Sequence, residues 1–179
     1  METVKQKEKK SYDVLKPKFG YKNKMAAPRL MKVIVSSGTG SGIKRDKNRN
    51  EFIAGRLSKI TGQKPALKSA KKSIASFKVR QGDPIGVMVT LRGARMYSFL
   101  DKLINVAIPR TKDFRGIERK IVDNIGNLTM SIKEHTIFPE TGDEELKDVF
   151  GMAVTIVTTA KNKEEATNFF EILGVPFKK

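Results

Sequence analysis

The sequence predicts an α+β fold: a two-layer sandwich with a mostly antiparallel sheet, helices on one face and the other face open. Three observations carry this. Short stretches alternate in polarity, as strands with one buried side do: Val87, Val89 and Leu91; Leu128, Met130 and Ile132; Met152, Val154 and Ile156. Between them lie stretches with apolar residues at helical spacing. Val87, Val89 and Leu91 alternate with Met88 and Thr90, and several strands alternate in polarity, so one side of the sheet is covered by helices and the other is left more polar. The 179 residues suffice for one core, and no linker or internal repeat divides them, so residues 1–179 are read as a single domain.

The elements follow in order. Residues 1–24 form a Lys-rich arm. Val4, Tyr12, Val14 and Leu15 line one side of a helix that ends near Pro17 or Gly20, which leaves open that the arm orders fully only on a partner. Leu30 to Val35 reads as a buried strand that runs into the flexible loop Ser36-Ser37-Gly38-Thr39-Gly40-Ser41-Gly42. A helix is expected over about Asp46 to Ile60, with Phe52, Ile53, Leu57 and Ile60 on its inner face and Gly62 as its cap. Phe77-Lys78-Val79-Arg80 alternates apolar and basic. It is either a half-buried strand or an exposed finger with Phe77 or Ile74 at its tip. The small residues Ser69, Ala70, Ser73, Ala75 and Ser76 give little to bury and favour the finger, taken as residues 68–85. After the strand ending at Leu91, Met96, Leu100, Leu103 and Ala107 share a helical face, and Pro109 ends that helix. The closing helix starts at Asn162, with Glu165 three residues on as the partner in a capping box, and buries Phe169, Phe170 and Leu173.

Charge is distributed unevenly. Residues 1–100 carry 24 Lys and Arg against 6 Asp and Glu, and residues 101–179 carry 12 against 13. The net of +18 in the first part and −1 in the second points to a polyanion met on one side only. The densest stretch is Lys64 to Arg80, with six cations and no acidic residue. Such crowding is unfavourable until phosphates neutralise it and counterions are released. A sheet with an open face is a common platform for RNA.

Several chemistries find no support. There is no Cys, hence no disulfide framework or thiolate metal site. The glycine loop lacks the third Gly or Ala of a dinucleotide fingerprint, because position 43 is Ile43, and no Gly-Lys pair exists for a triphosphate loop. His135 is the only histidine and reads as a surface or edge residue. The carboxylates Glu140, Asp143, Glu144, Glu145 and Asp148 lack calcium-loop spacing and read as a solvated acidic stretch suited to a basic protein. No metal or cofactor is implied. The charged amino terminus has no apolar segment behind it, so it is not expected to be a signal peptide, and a cytoplasmic location is expected. A metal-dependent RNA-processing enzyme using His135 and a duplex DNA binder are the competing classes. Neither finds a catalytic constellation or a groove-inserting helix.

Longer motifs add a resemblance. Thr61-Gly62-Gln63-Lys64-Pro65, Lys71-Lys72-Ser73-Ile74-Ala75-Ser76-Phe77-Lys78-Val79-Arg80-Gln81-Gly82-Asp83-Pro84-Ile85-Gly86 and Val89-Thr90-Leu91-Arg92-Gly93 come first. Pro109-Arg110-Thr111-Lys112-Asp113-Phe114-Arg115-Gly116, Phe138-Pro139-Glu140 and Thr158-Thr159-Ala160-Lys161 follow. In this order they resemble the bacterial-type large-subunit ribosomal protein five family, which binds 5S ribosomal RNA. The resemblance runs from about Tyr21 to the end of the chain.

It implies a non-enzymatic constituent of the cytoplasmic ribosome, in the central protuberance. Its implied partners are 5S and 23S ribosomal RNA, peptidyl-site transfer RNA, small-subunit protein thirteen and other proteins of the protuberance. Carried over residue by residue, the ribosomal RNA contacts are Arg29, Lys32, Ser36, Gln63, Lys64, Thr90, Arg92 and Arg95. The transfer RNA contacts are Ser76, Phe77, Lys78 and Arg80. The bridge to the small-subunit protein is Glu140, Asp143, Glu144 and Glu145. Two positions depart from the family pattern: Ser36 stands where Asn is usual, and Asp83 where an aromatic residue is common.

Overall fold

The structure is a computed structural model that describes residues 2–40, 48–112, 114–142 and 149–178. Its centre is a five-stranded antiparallel sheet built from β1 (Leu30–Gly38), β2 (Ala66–Ser69), β3 (Pro84–Leu91), β4 (Leu128–Ile132) and β5 (Met152–Thr158), in the order β2-β3-β1-β5-β4. The helices among the described residues are α1 (Val4–Phe19), α2 (Arg49–Thr61), α3 (Gly93–Lys102) and α4 (Lys163–Leu173). The α+β sandwich expected from the sequence is the fold observed.

Burial alternates strictly along β4 and β5. In β5, Met152, Val154, Ile156 and Thr158 are buried and the residues between them half-buried; in β4, Leu128, Met130 and Ile132 are buried while Thr129 and Ser131 are exposed. Two strands differ from expectation. β1 continues past Val35 to Gly38, because pairing persists there: the Ser37 hydroxyl donates to the Gly151 carbonyl at 2.8 Å, and the Thr39 N–H to the Ile85 carbonyl at 2.9 Å. β2 has no counterpart in the sequence reading. All four of its residues are exposed, so no alternation marks it. It forms through backbone pairing with β3, Ala66 opposite Met88 and Lys68 opposite Gly86.

By contacts, the chain forms two compact units, each assembled from separated segments, which is why no linker marks the division. One unit comprises Met1–Val33, Arg92–Met130 and Thr155–Lys179. Here α1 packs against α4 and α3. Its start is a full capping box: the Thr3 hydroxyl accepts from the Gln6 N–H, and the Gln6 side chain accepts from the Thr3 N–H. Gly20, at φ +64°, closes the other end. Val4 and Leu15 are buried as expected, but Val14 is 58% exposed and Ser11 is buried instead. The helix is tied to the chain itself. The Val4 N–H donates to Asp101 Oδ1 at 2.7 Å, Lys7 Nζ to the Leu173 carbonyl at 3.2 Å, and the Leu30 N–H to Glu8 Oε1 at 2.9 Å. The arm therefore finds its ordering contacts within the molecule.

Two further details of this unit differ from expectation. The helix after Gly93 is α-helical only to Lys102 and continues as a π turn over Leu103–Ala107, with the Ile108 N–H donating to the Leu103 carbonyl. At α4 the Asn162 side chain makes no cap hydrogen bond. Glu165 reaches past it, accepting from the Lys161 N–H at 2.8 Å and from the Tyr21 hydroxyl. The competing Tyr21 contact draws the carboxylate away from the capping geometry. Burial first, and then Glu165, push the Tyr21 hydroxyl well above the usual tyrosine range.

The second unit comprises Ile34–Leu91 and Ser131–Val154. α2 packs on β3 and β2 through Ile53, Leu57 and Ile60, all buried, and ends at Gly62 with φ +67°. Phe52 is only half-buried and carries the Arg56 guanidinium 4.9 Å above its ring. The reading of His135 as a surface residue is overturned. Its relative exposure is 0%, its ring stacks on Phe150 with centroids 4.0 Å apart, and its Nδ1 accepts from the Phe150 N–H at 3.3 Å. A single polar residue beside Glu134 gives no sign in sequence of the Phe150 ring that covers it.

Candidate nucleic-acid interface

Within the second unit the candidate residues fall into two groups. Ser36 on β1 and Thr90 on β3 both lie on the half-exposed side of neighbouring strands. Gln63 follows the α2 cap, and its Nε2 donates to the Thr90 carbonyl at 3.2 Å. This bond turns the amide toward the strand and brings together two candidates 27 positions apart. Lys64, next to it, is exposed.

The other group sits on the hairpin between β2 and β3. Ile74 and Val79 exchange backbone hydrogen bonds at 2.9 and 3.2 Å, and Ala75 to Lys78 make the turn between them. Ser76, Phe77, Lys78 and Arg80 are all exposed, Phe77 by 71%. The strand reading of Phe77 to Arg80 does not hold, since Phe77 and Lys78 are turn residues. Lys78 takes φ +51°, a left-handed conformation in which a Cβ is crowded. At the base of the turn Asp83 accepts from the Arg80 N–H at 2.8 Å, and its own N–H donates to the Arg80 carbonyl at 3.2 Å. A carboxylate here closes a local turn. The composition of Gln81-Gly82-Asp83-Pro84 reads as a turn in the sequence, and the observed turn runs one residue earlier, from Arg80 to Asp83, which gives the departure from an aromatic residue a structural role.

In the first unit, Arg29 is exposed at the mouth of β1, its backbone N–H donating to the Thr159 hydroxyl at 2.9 Å. Lys32 is half-buried on the same strand. Arg92 is the extended residue preceding α3, with its Nη1 3.5 Å from the Met31 carbonyl, and Arg95 is exposed in the first turn of that helix. With no acidic residue in that turn and the helix N–H groups directed outward, this end of α3 attracts anions.

Glu140 is exposed in a short turn, while Asp143, Glu144 and Glu145 lie outside the described residues, as do Ser41 and Gly42 of the glycine loop. Among the described residues no group of three or more His, Asp or Glu side chains is placed to hold a metal ion.

Comparison with known proteins accounts for nearly the whole chain. The family model described as "Ribosomal protein L5" matches residues 23–80, and the model describing the C-terminus of the same ribosomal protein family matches residues 84–177. The large ribosomal subunit protein uL5 of Heliobacterium modesticaldum is 49% identical over 175 residues, covering 96% of this chain and 97% of the relative. That of Kosmotoga olearia is 48% identical over 172 residues, covering 96% and 93%. That of Desulforamulus reducens is 51% identical over 165 residues, covering 92% and 91%. The class is thus a structural, non-enzymatic protein of the large subunit of the cytoplasmic ribosome. Within that class, the chain belongs to the ribosomal protein L5 (uL5) family.

Proposed function

We propose that this protein binds 5S ribosomal RNA through the half-exposed side of its sheet and helps attach it to 23S ribosomal RNA in the central protuberance. The observation that carries the reading is the Gln63 amide bonded to the Thr90 carbonyl beside a strand side lined by hydroxyl groups. Polar groups held in register on a strand can read unpaired bases and 2′-hydroxyls, while cations hold phosphates. Arg92 and Arg95 at the start of α3 supply bidentate phosphate donors, and Arg29, Lys32 and Lys64 add charge.

The exposed hairpin, with Phe77 for stacking and Lys78 and Arg80 for phosphates, supports a contact with peptidyl-site transfer RNA. The acidic residues Glu140, Asp143, Glu144 and Glu145 support a bridge to the basic small-subunit protein thirteen.

The test is a binding titration of labelled 5S ribosomal RNA at physiological salt, in the presence of excess transfer RNA and duplex DNA. The expected result is tight binding that survives both competitors and weakens on Gln63→Ala or Arg92→Ala. Equal displacement by all three nucleic acids would leave only a general polyanion binder and overturn the proposal.

A further inference from the structure

The unit that contains α1 has a pocket that shares only Arg29 with the contacts assigned so far. Its volume is about 240 Å³. That is below the roughly 300–1,000 Å³ of pockets for drug-sized ligands and matches one flat ring system. Its walls are ring and thioether surfaces from Tyr12, Tyr97 and Met25, the last 69% exposed. Lys5, Lys9, Lys24 and Arg29 also line it, four cations against the single carboxylate of Glu8. Lys5 Nζ stands 6.0 Å from the centre of the Tyr97 ring.

Glu8 is held at both oxygens. Oε1 accepts from the Leu30 N–H at 2.9 Å and Oε2 from the Tyr97 hydroxyl at 2.6 Å. Burial first, and then Glu8, push the Tyr97 hydroxyl up to about 12. A carboxylate has about four acceptor positions, so each Glu8 oxygen keeps a lone pair for a further donor.

Aromatic and thioether walls, a cationic surround and one oriented acceptor are the parts that recognise an unpaired nucleobase. The walls stack on its face, the cations take the flanking phosphates, and the acceptor meets an N–H donor on its edge. We propose that this pocket holds a single unpaired nucleobase of 5S ribosomal RNA, extruded from its stack. The proposal rests on the 5S reading but shares none of the Gln63, Thr90 and Ser36 contacts.

The test combines ultraviolet crosslinking of the full chain to 5S ribosomal RNA with titration of two variants. Crosslinks are expected on the peptides bearing Tyr12, Met25 or Tyr97. Crosslinks confined to other peptides would overturn the site. Met25→Ala, at an exposed position with little bearing on folding, and Tyr12→Ala should each lower 5S affinity about tenfold, the effect of losing one base stack. The slope of log affinity against log salt should stay unchanged, because no phosphate contact is lost. Variants that bind within about twofold of the parent, or whose salt slope falls by about one, overturn the proposal. If the parent chain itself shows no preference for 5S RNA, the 5S reading fails with it; a selective parent with indifferent variants overturns the pocket alone.

Discussion

At Gly126 the backbone takes φ +87°, and a Cβ built there would stand 2.8 Å from the Ala160 Cβ and 3.0 Å from its carbonyl oxygen. Both the conformation and the space require glycine. Gly126→Ala should cost roughly 2–3 kcal/mol, measured as a lowered urea midpoint with unchanged slope. His135→Ala removes the ring stacked on Phe150 and leaves the Phe150 N–H without its acceptor, a loss of roughly 2–4 kcal/mol on the same scale. At the hairpin tip the double substitution Lys78→Ala and Arg80→Ala should leave 5S affinity within about twofold, since the proposed 5S contact does not include the hairpin. It should weaken transfer RNA contact in reconstituted ribosomes, read by footprinting; abolished 5S binding would reassign the hairpin. At this scale the sequence was least legible. Nothing in periodicity links Gln63 to Thr90, which only the family resemblance paired, and nothing in the neighbours of His135 marks it as buried.

Elements were legible where one side alone is buried. β3, β4 and β5 show their alternation because each has a covered side and a half-exposed or exposed one. β2 escaped notice because it has no covered side, and the π turn after α3 because its apolar residues keep a spacing close to that of the helix. The docking of α1 was hidden for another reason: Glu8 looks like a stray acid in a lysine run, yet it receives the Leu30 N–H and the Tyr97 hydroxyl. This gives an alkaline signature. Tyrosine in an unfolded chain ionises near 10, whereas Tyr97 in the fold does so at about 12. Between these values the unfolded state binds fewer protons than the native one, so stability falls as pH rises. The contribution is fully present below about pH 10 and lost by about pH 12. Tyr97→Phe should flatten that part of a stability profile from denaturant titrations at pH 9 to 12, relative to the parent chain. An unchanged profile would show that the burial of Tyr97 and its bond to Glu8 together contribute nothing measurable to the pH dependence.

For the molecule as a whole, the segregation of charge was the clearest sign in the sequence, and it sets the energetics of the proposed RNA contact. With about six phosphates neutralised, 5S affinity should fall about a thousandfold between 50 and 200 mM salt. A slope near zero would mean that cations such as Arg92, Arg95 and Lys64 do not reach the backbone. The two compact units were not legible, because their segments interleave along the chain and leave no compositional boundary. That interleaving bears on how the protein is made. Lys7 of α1 bonds the carbonyl of Leu173 at the end of α4, 166 positions later. As the chain leaves a translating ribosome, α1 emerges first and meets its partners in sequence: Leu30 of β1, then Tyr97 and Asp101 of α3, and α4 only when nearly all the rest has been synthesised. Full closure of that unit is thus a late, long-range event in the birth of the protein, and a nascent chain stalled before α4 carries a basic helix that lacks its largest packing partner.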